Sequence, residues 1–141
     1  MDEKPGRAAF AYELAIPTRW ADNDVYGHVN NTVYYRWFDT VINTWLIAEG
    51  GLDPATGEAI GLCVESGCRY FAPCAFPETV IAALRVTKLG TSSVRYEVGI
   101  FREEQLVALG HFVHVFVDRA ERRPTPHPPR IRACLERLVR G

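Results

Sequence analysis

The sequence predicts an α+β domain in which one curved antiparallel sheet wraps around a single long helix. Three observations carry this. Residues 31–49 place Val33, Tyr34, Trp37, Phe38, Val41, Ile42, Trp45, Leu46 and Ala48 at three- and four-residue spacing, an apolar arc too wide for a helix lying on a surface. Runs at 8–16, 61–71, 79–89, 93–102 and 105–118 read as strands, several with clear two-residue alternation. No further helix interrupts the last four strands, so the helix has one sheet to be buried in.

Taken in order, Phe10, Tyr12, Leu14 and Ile16 form one face of the first strand, opposite Ala9, Ala11, Glu13 and Ala15, and Pro17 ends the alternation or marks an edge. Asn30 or Asn31 caps the helix and Gly50-Gly51 stops it, before a loop at Asp53-Pro54-Ala55-Thr56-Gly57. Lys88-Leu89-Gly90-Thr91-Ser92 and Arg102-Glu103-Glu104-Gln105 read as hairpin turns. Leu106 to Val117 is apolar at both parities, so both faces of that strand are expected to be covered. The segment 119–130, with Pro124, Pro126, Pro128 and Pro129, reads as an extended linker, and 131–139 as a short amphipathic helix. The whole of 1–141 is read as one domain with its core at 8–118.

Composition narrows the function. Hydrophobic residues make up 48% and charged residues 23%, ordinary values for a globular protein. A net charge of −1, from 16 basic and 17 acidic residues, gives no overall field that favours nucleic acid or an anionic membrane. No apolar run approaches the roughly 20 residues of a membrane span. The charged start, Met1 to Arg7, is followed by no leader-type apolar stretch, so the expected location is the cytoplasm. Cys63, Cys68, Cys74 and Cys134 lack metal-site spacing and read as reduced thiols. On a continuous strand, Cys63 and Cys68 fall on opposite faces. So do His111 and His114, which therefore cannot share one metal. His127, in the Pro-rich segment, carries no signal.

The chemistry concentrates at Trp20-Ala21-Asp22-Asn23-Asp24-Val25-Tyr26-Gly27-His28-Val29-Asn30-Asn31, between the first strand and the helix. Unpaired N–H groups and the positive dipole end at a helix start favour developing negative charge. A carboxylate beside them can attack an acyl carbonyl or activate water, while amides hold the oxyanion. Gly27 permits a tight turn and lets a substrate approach the backbone. Asp residues are also common in turns and caps, a second reading for Asp22 and Asp24.

Asp22-Asn23-Asp24-Val25-Tyr26-Gly27-His28-Val29-Asn30-Asn31-Thr32-Val33-Tyr34 resembles the D-x-D-x-x-G-H-V-N-N-x-x-Y pattern of hotdog-fold acyl-CoA thioesterases of the 4-hydroxybenzoyl-CoA thioesterase type. The upstream Trp20, the downstream Tyr35-Arg36-Trp37-Phe38-Asp39 and the strand order extend the likeness over about residues 8 to 120. The resemblance implies a five-stranded hotdog sheet and hydrolysis of an acyl or aroyl thioester. It implies Asp24 as nucleophile or general base, and backbone amides around Asn31 as the oxyanion site. It gives His28 the orientation of Asp24 or the binding of substrate or water, Asn30 a capping role, and Tyr26 and Gly27 places beside the substrate. It also implies a homodimer or homotetramer with sites at subunit interfaces, a coenzyme A or acyl carrier protein thioester as substrate, and no metal or other cofactor.

This chain departs from some members in the turn before the fourth strand, where Gly90-Thr91-Ser92-Ser93 replaces a basic cluster. Lys88, Arg85 or Arg95 is left to meet coenzyme A phosphates, unless these are simply solvated strand residues. Glu65 and Ser66, mid-strand, are further substrate-binding candidates. Glu65 and Asp39 also serve as alternative acids, although Asp39 equally suits an ion pair with Arg36 on the helix surface. Trp37, Phe38 and Trp45 read as core. The competing functions are a hotdog hydratase or dehydratase on acyl thioesters, whose local His–acid pattern is not found, and a non-catalytic acyl-thioester binding module.

Overall fold

The apolar arc becomes α1 (Asn31–Gly50), with Tyr34, Trp37, Phe38, Val41, Ile42, Trp45 and Leu46 all buried, in a computed structural model that describes residues 4–141. The start Met1-Asp2-Glu3, part of the segment read as lacking a leader, lies outside the described residues. Asn30 is the N-cap, its side-chain oxygen accepting from the Thr32 N–H. Gly51, at φ +66°, closes the other end in the left-handed conformation that glycine adopts without steric cost. No helix among the described residues is long and apolar enough to cross a membrane.

The strands are β1 (Tyr12–Pro17), β2 (Ala59–Tyr70), β3 (Thr79–Leu89), β4 (Ser93–Arg102) and β5 (Gln105–Asp118), followed by α2 (Pro129–Glu136). They form one antiparallel sheet in the order β1-β3-β4-β5-β2, with α1 against its concave face: the hotdog arrangement. β3, β4 and β5 have the expected bounds, joined by the two expected hairpins. β2 runs past β3 and pairs with β5, so the two long edges of the sheet are β1 and β2.

Register shifts curve the sheet. The pairing slips between Cys63 and Glu65 in β2, between Val86 and Lys88 in β3, and between Ile100 and Phe101 in β4. Such bulges bend and twist a strand, which lets a five-stranded sheet cup a helix. Gly110 of β5 supplies room at the centre of the cup. A Cβ there would stand 2.2 Å from the Phe38 ring, and Phe38 has no exposed surface.

Several sequence expectations are corrected. The first strand begins at Tyr12, because Arg7–Ala9 forms a 3₁₀ turn. Phe10 consequently leaves the face shared by Tyr12, Leu14 and Ile16 and packs with Phe101, Leu106 and Leu109 on the other side of the sheet. This outer cluster covers the beginning of β5, while His111, Val113 and Val115 further along remain half-buried. The bulge at Val64 changes the parity of β2, so Cys63 pairs with His114 and Cys68 with Gly110, both on the helix side. Asp39 accepts a hydrogen bond from Asn43 instead of joining Arg36. The last helix starts at Pro129, whose missing N–H costs nothing at a first helical position. His127 is buried, packed edge-on to Phe116 at 5.2 Å, with Nδ1 3.2 Å from Arg132, so the Pro-rich segment is pinned to the body of the fold.

His111 and His114 do lie on opposite faces. His111 Nε2 sits 2.9 Å from Glu65 on the outer face, whereas His114 is buried against Tyr96 on the inner one. Burial pushes the His114 imidazole down to about 4. The unfolded chain, with its imidazole near 6.5, therefore takes up the proton first. The stability that neutral His114 contributes is full above about pH 6.5 and drains as pH falls towards about 4. His127, also lowered by burial, adds a slope of the same sign. His114→Phe should reduce the stability lost between pH 7 and 4.5 by about 2 kcal/mol. Urea denaturation at the two pH values checks this, and an unchanged difference would contradict it.

Candidate active site

The strand-to-helix junction is built by local bonds before any tertiary contact is added. Trp20–Asp22 forms a 3₁₀ turn in which the Asp22 carboxylate accepts from the Arg19 backbone N–H at 2.8 Å and pairs with its guanidinium at 2.9 Å. Asp22 is buried, and its carbonyl accepts from the Asn30 N–H at 2.9 Å. It is a structural turn acid. The next turn closes with the Gly27 N–H donating to Asp24 O at 3.0 Å and the Asp24 N–H to His28 O at 2.9 Å. Gly27 sits at φ +85°, and a Cβ there would meet nothing within 4 Å, so the backbone angle, not space, selects glycine.

That turn presents Asp24. One carboxylate oxygen accepts from the Tyr26 N–H at 2.9 Å and the other from Asn30 Nδ2 at 3.2 Å. Asn30 therefore does two jobs, since its side-chain oxygen also caps α1 through Thr32. The Val33 N–H is used by Asn30 O. The Asn31 N–H, first of the helix, has no acceptor among the described residues and is free for a ligand oxygen.

Longer contacts fix the junction to the end of β2 and to the connection that follows it. Val29 N–H donates to Cys74 O at 2.8 Å, Phe76 N–H donates to Asn23 Oδ1 at 3.0 Å, and the Tyr70 hydroxyl donates to Asn31 O at 2.8 Å. Around Asp24 lies an open hollow of about 610 Å³ whose wall includes Trp20, Val25, Tyr26, Gly27 and Asn30. Trp20 is 75% exposed and packs edge-on against Phe76 at 6.0 Å. Val25 and Tyr26 are also largely exposed, giving the carboxylate an apolar rim open to solvent.

The remaining candidates disperse. His28 is exposed, and its ring makes no hydrogen bond to Asp24; Asn30 and Tyr26 occupy those positions. Ser66 is exposed on the helix side of β2, paired with Phe112. Glu65 faces the other way, bound to His111 and, at 3.4 Å, to Arg95. Arg85 is likewise committed to Glu97. Lys88 is exposed at the far end of β3, roughly 30 Å along that strand from its Asp24 end. The cysteines read as thiols, since burial pushes Cys68 up to about 11 and raises Cys74 as well. The sequence reading missed the bond from Asn30 to Asp24 and the tie from Tyr70. An Asn six residues after an Asp was signal enough for the first; the second joins residues 39 apart and leaves no local trace.

The molecule is a hotdog-fold thioester hydrolase. It belongs to the Thioesterase-like superfamily, which matches residues 18–135. Among solved structures it is similar to the PA5185 protein of Pseudomonas aeruginosa, at 50% identity, a TM-score of 0.95 and 97% coverage of both chains. It is also similar to the PA2801 protein, a candidate thioesterase of the same organism, at 33% identity and a TM-score of 0.83, over 89% of this chain and 98% of that one. The Slr0204 1,4-dihydroxy-2-naphthoyl-CoA thioesterase of Synechocystis shares the fold at 19% identity and a TM-score of 0.80, over 88% and 94% of the two chains. No curated protein matches.

The double duty of Asn30 is separable. Asn30→Ala should lower the unfolding free energy by about 1 kcal/mol through loss of the cap. Asn30→Ser should keep a cap acceptor and most of that stability, yet lose the Nδ2 donor to Asp24. Thioester hydrolysis should then fall about tenfold or more in both variants. Denaturation curves measured beside hydrolysis rates check this; activity that tracks stability alone would contradict it.

Proposed function

We propose that the chain is a cytoplasmic acyl-CoA thioesterase in which Asp24 performs the chemistry and the Asn31 N–H receives the oxyanion. The reading is carried by one observation: a carboxylate pinned by Tyr26 and Asn30 in the same turn that leaves the first amide of a twenty-residue helix unpaired. As general base, Asp24 takes a proton from water, and the water oxygen bonds to the thioester carbonyl carbon. Negative charge moves to the carbonyl oxygen, where the helix-start amide and dipole lower its energy. The C–S bond then breaks, and the thiolate takes up the proton held by Asp24. As nucleophile, Asp24 itself displaces the thiolate to form a mixed anhydride, which water opens to the acid. Both routes consume one water and release acid and thiol. A thioester is already an activated acyl donor, so neither route needs a metal or redox cofactor.

His28, on the exposed side of the turn, is assigned to substrate or water, and Tyr26 and Gly27 to the substrate's approach. Lys88, exposed and without an ion pair among the described residues, is the basic residue left for coenzyme A phosphates. We assign β2 to a homodimer interface. It is a twelve-residue edge strand, exposed from Cys63 to Ser66, with Val64 61% exposed. A long apolar edge of this kind pairs readily with another strand. Two β2 edges related by a two-fold axis run antiparallel. The Ala59 end of one subunit then lies beside the Tyr70 end of the other, where Tyr70 holds the start of α1.

Asp24→Asn keeps the shape of the turn and removes the charge. It should lower kcat/KM on a panel of acyl-CoAs at least about a hundredfold, with little change in stability. Release of coenzyme A, followed by chromatography, measures this; acyl carrier protein thioesters run in parallel identify the carrier. Equal rates for the two proteins would exclude Asp24. No hydrolysis by either would exclude the thioesterase reading.

A further inference from the structure

The unpaired Asn31 N–H stands between two anchored peptides. On the upstream side, the Asn30 N–H donates to Asp22 O at 2.9 Å. On the downstream side, the Asn31 carbonyl accepts from the Tyr70 hydroxyl at 2.8 Å. The upstream bond is made within the junction, whereas Tyr70 reaches in from the end of β2, 39 residues along the chain. Helix formation does not call for this second bond, since an α-helix already pairs its first carbonyl with the N–H four residues on.

The hydroxyl is itself held in place. The Tyr70 ring meets buried Tyr34 edge-on at 5.1 Å, and the Tyr34 hydroxyl lies 3.2 Å from Cys74 Sγ. The Cys74 carbonyl accepts the Val29 N–H at 2.8 Å. A closed circuit of contacts therefore runs from Asn31 through Tyr70, Tyr34 and Cys74 back to Val29, and it encloses the first amide of α1. Partial burial, with Cys68 and Tyr35 close to the hydroxyl, holds the Tyr70 phenol above its ordinary range, so it stays protonated and a donor.

We propose that Tyr70 is a positioning residue whose hydroxyl, through the Asn31 carbonyl, aims the Asn31 N–H at the thioester carbonyl oxygen. The assignment rests on the thioesterase reading above. An oxyanion donor lowers the barrier most when it already points to where the charge will develop. The first N–H groups of a helix lack the intrahelical partners that stiffen its interior, so contacts from outside set their direction. Without the Tyr70 hydroxyl, the Asn31 N–H samples several directions. Substrate binding loses little by this, because the full charge on oxygen exists only in the transition state. Asn30 and Tyr70 thereby divide the site: Asn30 holds the carboxylate and Tyr70 holds the oxyanion donor.

The test is Tyr70→Phe, which keeps the ring against Tyr34 and removes only the donor, assayed on the acyl-CoA that wild type hydrolyses fastest. kcat should fall about tenfold, a part of the hundredfold or more that follows outright removal of an oxyanion donor. KM should change by less than about twofold, the mark of an interaction made only in the transition state. The urea unfolding midpoint should stay closer to wild type than that of Asn30→Ala. Combined with Asn30→Ser, the losses in kcat should multiply, because the two ties hold different reacting groups. Wild-type kcat in Tyr70→Phe overturns the assignment. So does a rise in KM that matches the fall in kcat, or a double variant no slower than the slower single one, either of which would leave Tyr70 a structural role alone. If wild type hydrolyses no acyl-CoA, the thioesterase reading fails and this assignment falls with it; hydrolysis by wild type keeps that reading whatever Tyr70→Phe does.

Discussion

The seating of Phe38 over Gly110 sets the position of everything that follows. The ring occupies the place where any side chain at 110 would have to stand, so α1 lies closer to the centre of the sheet than a Cβ would permit. Phe112 and Tyr35 hold the ring edge-on at 6.1 and 5.7 Å, and burial of the flanking Val41, Ile42, Trp45 and Leu46 extends the contact along the helix. An interior packed at crystal-like density does not let such a helix slide, which makes its height and rotation a fixed quantity. The start of α1 inherits that precision.

The chemistry proposed for the junction depends on this inheritance. Asp24 belongs to a loop, and a loop carboxylate left to itself would sample many orientations, each diluting the reactive one. Here the turn is closed by its own backbone, tied to α1 through Asn30, and tied to the β2–β3 connection through Cys74 and Phe76. Buried Asp22 forms the foundation of the turn, while Asp24, two residues later, faces the hollow. The two acids differ in burial and partners, which suits Asp22 to a structural role and Asp24 to the proposed chemical one. Trp20, Val25 and Tyr26 form an exposed apolar rim to that hollow, and β2 is an exposed edge of the sheet.

Legibility in the sequence followed the range of the interaction. The α1 arc and the β3–β4–β5 meander rest on contacts a few residues apart, and both were visible in the spacing of apolar residues. The turn residues Gly27, Asn30 and Gly51 were equally visible, since each meets a local backbone demand. The pairing of β2 with β5 was not, because it joins Ala59 to Asp118 and is decided by which edge remains open. Bulges are similarly silent: the slip at Val64 reverses the expected relation of Cys63 and Cys68 without any glycine or proline to mark it. His127 looked empty of meaning because its partners, Phe116 and Arg132, are brought to it by a proline-rich path whose course no periodicity encodes. Of the candidate site, the Asp24 motif stood out at once, whereas the tie from Tyr70 to Asn31 exists only once β2 and α1 are assembled.

A double-mutant cycle between Gly110 and Phe38, read out in stability and in thioester hydrolysis, tests most directly whether helix seating governs the site. Gly110→Ala should destabilise the fold by about 2–3 kcal/mol and depress hydrolysis, because the ring must lift the helix. Adding Phe38→Leu, which shortens the clashing side chain, should recover at least about 1 kcal/mol relative to the sum of the single changes and restore part of the activity. Strictly additive stabilities, or full hydrolysis by Gly110→Ala, would contradict it.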